Sequence, residues 1–569
     1  TYDETASDKF SRLTTITESN ALGESLNPTM LTWDIPEVNM EISRTDNTDV
    51  PQKLSSWKGF DNDRNAGYMA VDLNGDGISD IVRLCSGKRG IEGFSETDCI
   101  NYVAAYVHIG YIGAEGQIRY NEPLMYWFPA QLANWPSEKN STISNSLGSS
   151  SVMDFDGDGL NDLIFPYYTD YGGVKFENLY ILYGKDVKNG VAYSRMQQTS
   201  LNLQRTDGCP LHAAMDLNGD GRDDIIALET AGDGGNYMIR FLVCSGLYAD
   251  GKPMLETSSK GIVLPSVPKH LLTGDYDGDG LADLFVACES GYAIYYNLGC
   301  AKGQNPTVVF SNDRSITGTT VKGYWRMEQG DFDGDGQVDF LYFDNISSKF
   351  GIAWNNGDGT FRNQTLPDNW GIYDHTDTNK DDSKFTMTVT DMDGDGKSDV
   401  LLSKAMYDFH HGAIWESSYY RYNKTLVRWL HSTGSSFELT EAYEFAGDDV
   451  SNEGMFMAGD FNGDGRIETA NYGARLDADY SMDASDVRHI YRMGSNGASA
   501  GRLASVTDGF GNITTLDYAY ATDKVVYGLT EQPKPNTYWE WDEQGNKVRI
   551  TETSINTYPV NRYTLPTVL

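Results

Sequence analysis

Short apolar runs alternate along this chain with polar, glycine-rich stretches. Leu163-Ile164-Phe165, Leu284-Phe285-Val286 and Val400-Leu401-Leu402 are bounded by turn residues and predict buried β-strands. Each follows an Asp/Gly-rich stretch, so the predicted unit is strand, tight loop, strand. Around residue 331 the unit reads as a strand over 324–330, a loop, and strands over 340–344 and 350–354. Asn355-Asn356-Gly357-Asp358-Gly359-Thr360-Phe361 then leads into an outer strand. No apolar run approaches the roughly 18 residues that a membrane helix requires, so no membrane span is expected.

The loops repeat. DLNGDGISD from Asp72, DFDGDGLND from Asp154, DLNGDGRDD from Asp216, DYDGDGLAD from Asp275, DFDGDGQVD from Asp331, DMDGDGKSD from Asp391 and DFNGDGRIE from Asp460 are seven copies of one nine-residue pattern, separated by 82, 62, 59, 56, 60 and 69 residues. A period near sixty residues suits a four-stranded propeller blade, which predicts an all-β, seven-bladed β-propeller.

Oxygen-bearing side chains stand at positions 1, 3, 5 and 9, and glycines at 4 and 6. Ca²⁺ takes six to eight oxygens, and a chain coiling around it supplies alternate side chains plus a backbone carbonyl. The glycines allow the positive φ angles of such a coil. In the fifth copy this makes Asp331, Asp333 and Asp335 ligands, with the carbonyl of Gln337 and a bidentate Asp339. The same reading assigns Asp72, Asn74, Asp76, Ile78 and Asp80; Asp154, Asp156, Asp158, Leu160 and Asp162; Asp216, Asn218, Asp220, Arg222 and Asp224; and Asp275, Asp277, Asp279, Leu281 and Asp283. It continues with Asp391, Asp393, Asp395, Lys397 and Asp399, and with Asp460, Asn462, Asp464, Arg466 and Glu468. Position 7 varies freely in chemistry, as expected where only its carbonyl is used. EF-hands are excluded, because their bidentate Glu falls at position 12, which here is Arg83, Phe165, Ala227, Val286, Tyr342, Leu402 and Asn471. The seventh copy departs furthest: Glu468 replaces Asp, and Thr469-Ala470-Asn471 replaces the apolar run.

Charge agrees with cations as partners. The chain has 82 acidic against 44 basic residues, a net charge of −38, which argues against nucleic acid or an anionic membrane. The ligand positions alone carry 25 carboxylates, which without metal would repel and raise one another's pKa. About seven Ca²⁺ ions are therefore expected as part of the fold. Cys85, Cys99, Cys209, Cys244, Cys288 and Cys300 follow no close zinc spacing. Their even number favours an oxidising compartment over six buried thiols, and Cys85 with Cys99 is the expected disulfide. Thr1 is not followed by a basic and apolar leader, so the numbering is expected to begin inside a longer precursor.

The pairing of D-x-D-G-D-G-x-x-D with N-N-G-D-G-T-F resembles the FG-GAP/VCBS repeats of integrin-α-like propellers over residues 33–500, and implies a propeller fold without fixing its function. The flanks, 1–32 and 501–569, carry Arg12-Leu13-Thr14-Thr15-Ile16-Thr17-Glu18 and Arg502-Leu503-Ala504-Ser505-Val506-Thr507-Asp508-Gly509-Phe510-Gly511-Asn512. Trp541-Asp542-Glu543-Gln544-Gly545-Asn546 repeats the D-x-x-G-N element. These look like the RHS/YD-repeat strands of bacterial toxin-complex B components and plasmid-virulence (SpvB-type) proteins, although seven motifs depart from the six blades associated with the toxin component. An ordinary hairpin turn would also fit D-G-x-G-N.

No nucleophile elbow, P-loop, zinc helix or dinucleotide fingerprint is present, and adjacent His410 and His411 would face opposite ways in a strand. The expectation is a secreted, non-catalytic docking and scaffolding propeller whose partner is a protein. The alternatives are a carbohydrate-binding or adhesive propeller, whose partner is a glycan, and a calcium-dependent polysaccharide lyase. Propeller termini emerge close together, so the two flanks are expected in one sheet, with the propeller inserted between them.

Overall fold

The computed structural model describes chiefly residues 12–33, 64–90, 99–112, 151–171, 174–190, 212–231, 236–249, 268–299, 326–344, 349–366, 396–410, 419–439, 455–463, 467–476, 482–494 and 502–516, together with the other strands and single residues named below. The chain is nearly all β. Among the described residues the one helix is the short Gly184–Lys188, and no helix is long and apolar enough to cross a membrane.

Each motif joins the first two strands, an antiparallel pair, of its own sheet, as the strand–loop–strand pattern predicts. The sheets run Arg64–Val71, Asp80–Gly90, Cys99–His108, Leu124–Pro129; then Ser151–Met153, Asp162–Tyr171, Val174–Leu182, Gln197–Arg205; then His212–Met215, Asp224–Ala231, Asn236–Leu247, Pro253–Thr257. Next come Pro268–Gly274, Asp283–Cys288, Gly291–Tyr295, Ile316–Gly318; then Arg326–Gly330, Asp339–Asp344, Lys349–Asn355, Phe361–Thr365; then Phe385–Thr390, Asp399–His410, Tyr419–Ser432, Phe437–Leu439. The seventh sheet, Met455–Gly459, Glu468–Leu476 and Met482–Gly494, takes its fourth strand, Glu41–Thr45, from the opposite end of the chain. Thr469-Ala470-Asn471 is strand despite its polarity, because Glu468–Leu476 is paired on both sides.

The apolar runs are continuous rather than alternating because the second strands of the second to fifth sheets are covered on both faces. Leu163 packs with residues of the first sheet and its neighbour Ile164 with the third; Leu284 packs with the third sheet and Phe285 with the fifth; Phe340 packs with the fourth and Leu341 with the sixth. Consecutive sheets from the first to the sixth are thereby stacked through five apolar layers. The seventh touches the first, where Ser79 N–H donates to the Asp460 carbonyl at 2.7 Å.

The flanks join. Thr15–Ile16, Thr29–Trp33, Leu503–Thr507 and Ile513–Thr515 form one four-stranded sheet, with Val506 opposite Leu31. Trp33, placed by sequence at the start of the propeller, closes a flank strand, and its indole N–H donates to the Leu13 carbonyl at 2.9 Å. Asp508–Asn512 is the turn of this sheet's last hairpin: the Asp508 carboxylate accepts N–H groups from Phe510 and Asn512, both at 2.9 Å. A second hairpin, Lys534–Trp541 with Lys547–Asn556, flanks the second D-x-x-G-N element.

The expected disulfide is overturned. Cys85 lies opposite Ala104 and Cys99 opposite Gly90, five rungs apart on one hairpin. At about 3.4 Å per rung that is some 17 Å, against the 7 Å or less between Cα atoms that a disulfide spans. Cys244 and Cys288 are buried free thiols. Cys209 and Cys300 lie outside the described residues.

Candidate metal centres

Each loop is built around its first carboxylate. Asp331 Oδ1 accepts the N–H groups of Gly334 (2.7 Å) and Asp335 (3.1 Å), and its Oδ2 accepts that of Gly336 (2.9 Å). The same three bonds occur from Asp72, Asp154, Asp216 and Asp275. In the sixth and seventh loops Asp391 accepts Gly396 N–H and Asp460 accepts Gly463 N–H. This coil needs left-handed backbone at positions 4 and 6, and every described glycine there has φ between 71° and 86°. The position-5 carboxylate then accepts the position-7 N–H: Ile78 to Asp76, Leu160 to Asp158, Arg222 to Asp220, Leu281 to Asp279 and Gln337 to Asp335, all at 2.9–3.0 Å.

The loop fold draws carboxylates together. Ligand oxygens of Asp154, Asp156 and Asp162, of Asp275, Asp277 and Asp279, and of Asp331, Asp333 and Asp339 lie within 4.8 Å of one another. In the first and third loops the amides of Asn74 and Asn218 donate to Asp76 and Asp220 instead. Asp393, Asp395, Asp464 and Arg466 lie outside the described residues. The chemistry is that of a hard-cation site, and the second loop shows an unmet demand: Asp156 Oδ1 is buried and accepts no hydrogen bond. The carbonyls of Ile78, Leu160, Arg222, Leu281, Gln337 and Lys397 would be the backbone oxygens.

Position 9 does more than close a site. Asp339 Oδ2 accepts Phe332 N–H (3.1 Å), and Oδ1 accepts Asn355 N–H (2.8 Å) from the end of the third strand. Asp80, Asp162, Asp224, Asp283 and Asp399 repeat this staple with Leu73 and Gly110, Phe155 and Gly184, Leu217 and Cys244, Tyr276 and Asn297, and Met392 and Ser432. The longer Glu468 reaches Phe461 N–H and the Asn462 amide. An ionised carboxylate has about four lone-pair sites, so metal ligation and the staple are compatible. Burial pushes Asp283 up to about 6 and Asp162, Asp224 and Asp339 up to about 7; the neighbouring loop carboxylates add to the rise. Asp76 is likewise raised to about 6 by burial, and Asp80 goes well above its ordinary value.

Positions 2 and 8, unassigned by sequence, and the side chain of position 7 also shape the loops. Position 2 is apolar in all seven copies, a signal that was available, and Leu73, Phe155, Leu217, Tyr276, Phe332, Met392 and Phe461 are all buried. Position 8 binds the preceding loop: Ser79, Asp223 and Ser398 donate their N–H to the position-1 carbonyls Asp460, Asp154 and Asp331, and the Asn161 amide donates to the carbonyl of Asp72. Position 7, read as a carbonyl alone, also has a side-chain role. Leu160 covers Gly75, Arg222 covers Gly157, Gln337 covers Gly278 and Lys397 covers Gly334, each being position 4 of the preceding loop.

Two windows, residues 275–342 and 331–402, match the FG-GAP-like repeat. No curated protein matches the chain. Among solved structures the chain is similar to TcdB2-TccC3 without its hypervariable C-terminal region, with 15% identity and a TM-score of 0.27 over 85% of this chain and 21% of that one. It is also similar to the NanB sialidase from Streptococcus pneumoniae in complex with 2-[(3-chlorobenzyl)ammonio]ethanesulfonate, with 10% identity and a TM-score of 0.31 over 81% of this chain and 71% of that one. The Trypanosoma rangeli sialidase in complex with sialic acid gives 10% identity and a TM-score of 0.16 over 88% and 94%. The chain spans about a fifth of the length of the TcdB2-TccC3 structure.

Proposed function

We propose that this chain is a seven-bladed propeller whose loops hold calcium, and that it works as a non-catalytic docking and scaffolding module. The observation that carries the reading is the shared loop frame, in which backbone N–H groups hold the position-1, position-5 and position-9 carboxylates, and in the second, fourth and fifth loops acidic oxygens that include position 3 converge within 4.8 Å. Seven sheets of one design, and an N-terminal strand completing the last of them, favour a closed ring. When bound, calcium would supply the positive charge that these carboxylates lack among themselves.

The scaffold half of the reading is supported by the flank sheet. Its strands from both ends of the ring pair with one another, so the ring is carried as an insertion on a strand platform. That platform exposes Ile16, Met30, Phe510 and Ile513, which suits a protein partner that adds strands or apolar surface. An extracellular setting follows from the calcium reading alone, since the Cys85–Cys99 pairing no longer supports it.

Metal analysis of the full chain after dialysis against calcium tests the proposal. Between four and seven ions per chain are expected, with a clear fall in melting temperature on chelation. Fewer than four ions, or a melting temperature unmoved by EGTA, overturns it. A specific hit on a glycan array would move the lectin reading ahead of docking.

A further inference from the structure

The second loop has a feature that no other described loop shares. In six copies the position-9 carboxylate accepts an N–H from a residue near the end of the third strand or two residues past it: Gly110, Gly184, Cys244, Asn297, Asn355 and Ser432. The residues that follow are Tyr111, Lys185, Ser245, Leu298, Asn356 and Thr433. Only in the second loop is that residue basic.

The Lys185 ammonium forms an ion pair with Asp156 Oδ2, the position-3 carboxylate. It also lies 4.4 Å from the centre of the Tyr183 ring, a cation–π distance. Asp156 is one of the three carboxylates whose oxygens converge in this loop, and its side chain is only 4% exposed, whereas that of Lys185 is 37% exposed. The lysine therefore reaches in from the solvent side. Its base is fixed, because Gly184 is stapled to Asp162 at 2.8 Å and any side chain at 184 would strike the carbonyls of Leu73 and Asn161. From the same helical turn Lys188 extends towards the first loop, its ammonium 3.8 Å from where a Cβ on Gly75 would stand.

We propose that Lys185 is an internal counter-cation of the second loop, competing with the divalent ion for Asp156 and making this loop weaker for metal than the fourth and fifth. The inference rests on the reading of the motifs as calcium loops. A tethered ammonium offsets one of the four carboxylate charges of the loop when metal is scarce, and its positive charge on Asp156 Oδ2 opposes a cation ligated by the same side chain. A partly exposed ion pair is worth up to about 1 kcal/mol, so the competition corresponds to roughly a two- to fivefold change in affinity.

The test is calcium titration of the full chain by calorimetry, comparing the parent with Lys185→Met and Lys185→Arg. Lys185→Met should tighten one calcium equivalent about two- to fivefold and leave the others unchanged, while Lys185→Arg should keep parent-like binding. The gain should vanish when Asp156→Ala is added. In EGTA, Lys185→Met should melt below the parent, and in saturating calcium it should not. Superimposable isotherms for the parent and Lys185→Met, with calcium bound by both, overturn the role of Lys185 and leave the calcium reading standing. Failure of all variants to bind calcium overturns both.

Discussion

Replacing Asp339 separates the two roles that geometry gives to position 9. Its side chain is buried, and its two oxygens satisfy Phe332 N–H at 3.1 Å and Asn355 N–H at 2.8 Å. Asp339→Ala leaves both donors unpaired, at about 1–3 kcal/mol each. Part of that is offset because burial has already pushed the Asp339 carboxyl up to about 7, so removing it relieves a desolvated charge. A net loss of about 2–3 kcal/mol in metal-free protein is the result, a large share of the 5–15 kcal/mol typical of a fold. Asp339→Asn keeps the acceptor towards Asn355 but turns an NH₂ group on Phe332 N–H, and should lose about half as much. Urea unfolding at pH 7.5 reads both variants, once in EGTA and once in calcium. In EGTA the order of stability should be parent, Asn, Ala; in calcium both variants should also lose the increment contributed by one ion. An Asp339→Ala protein within about 0.5 kcal/mol of the parent in EGTA would refute the staple.

Gly75→Ala places a methyl group 2.5 Å from Leu160 Cδ2 and at φ +72°, whereas Gly219 has similar φ and open space; the first should destabilise by about 1 kcal/mol more than the second in urea unfolding. Metal-free protein should melt lower as pH rises from about 4 to 7. Asp162, Asp224 and Asp339 are raised to about 7, so across that window the folded chain keeps protons that the unfolded chain has released, and stability falls. A melting temperature in EGTA that climbs over the same range would contradict this. Peptide mapping without reduction should find no Cys85–Cys99 link, and a linked pair would show that the strand register is wrong.

The loops were legible because their chemistry keeps fixed register: alternate acids, glycines where φ must be positive, and a variable position 7. The second strands were legible because cover on both faces makes them continuously apolar, as in Leu163-Ile164-Phe165. The staple was not. The N–H groups that cap Asp283 and Asp399 lie 14 and 33 residues further on, and a backbone donor carries no residue signature. The disulfide expectation fails because Asp80–Gly90 continues through the polar Gly87-Lys88-Arg89, which lengthens the hairpin and slides the two cysteines apart. Lys185 carries no sequence signal, because a lysine after a strand is ordinary until the fold turns it over Asp156.

The strand Glu41–Thr45 has a consequence for synthesis. Its partner, Met482–Gly494, follows about 445 residues later, and Thr29–Trp33 waits longer still for Leu503–Thr507. At 5–20 residues per second the ribosome needs roughly 20–90 s to deliver them. Through that interval Glu41–Thr45 and Thr29–Trp33 wait for their later partners while the intervening sheets can form in turn. A ribosome that stalls late therefore leaves its damage about 445 residues upstream, and deletions near residue 41 should be felt in the seventh sheet rather than in the first.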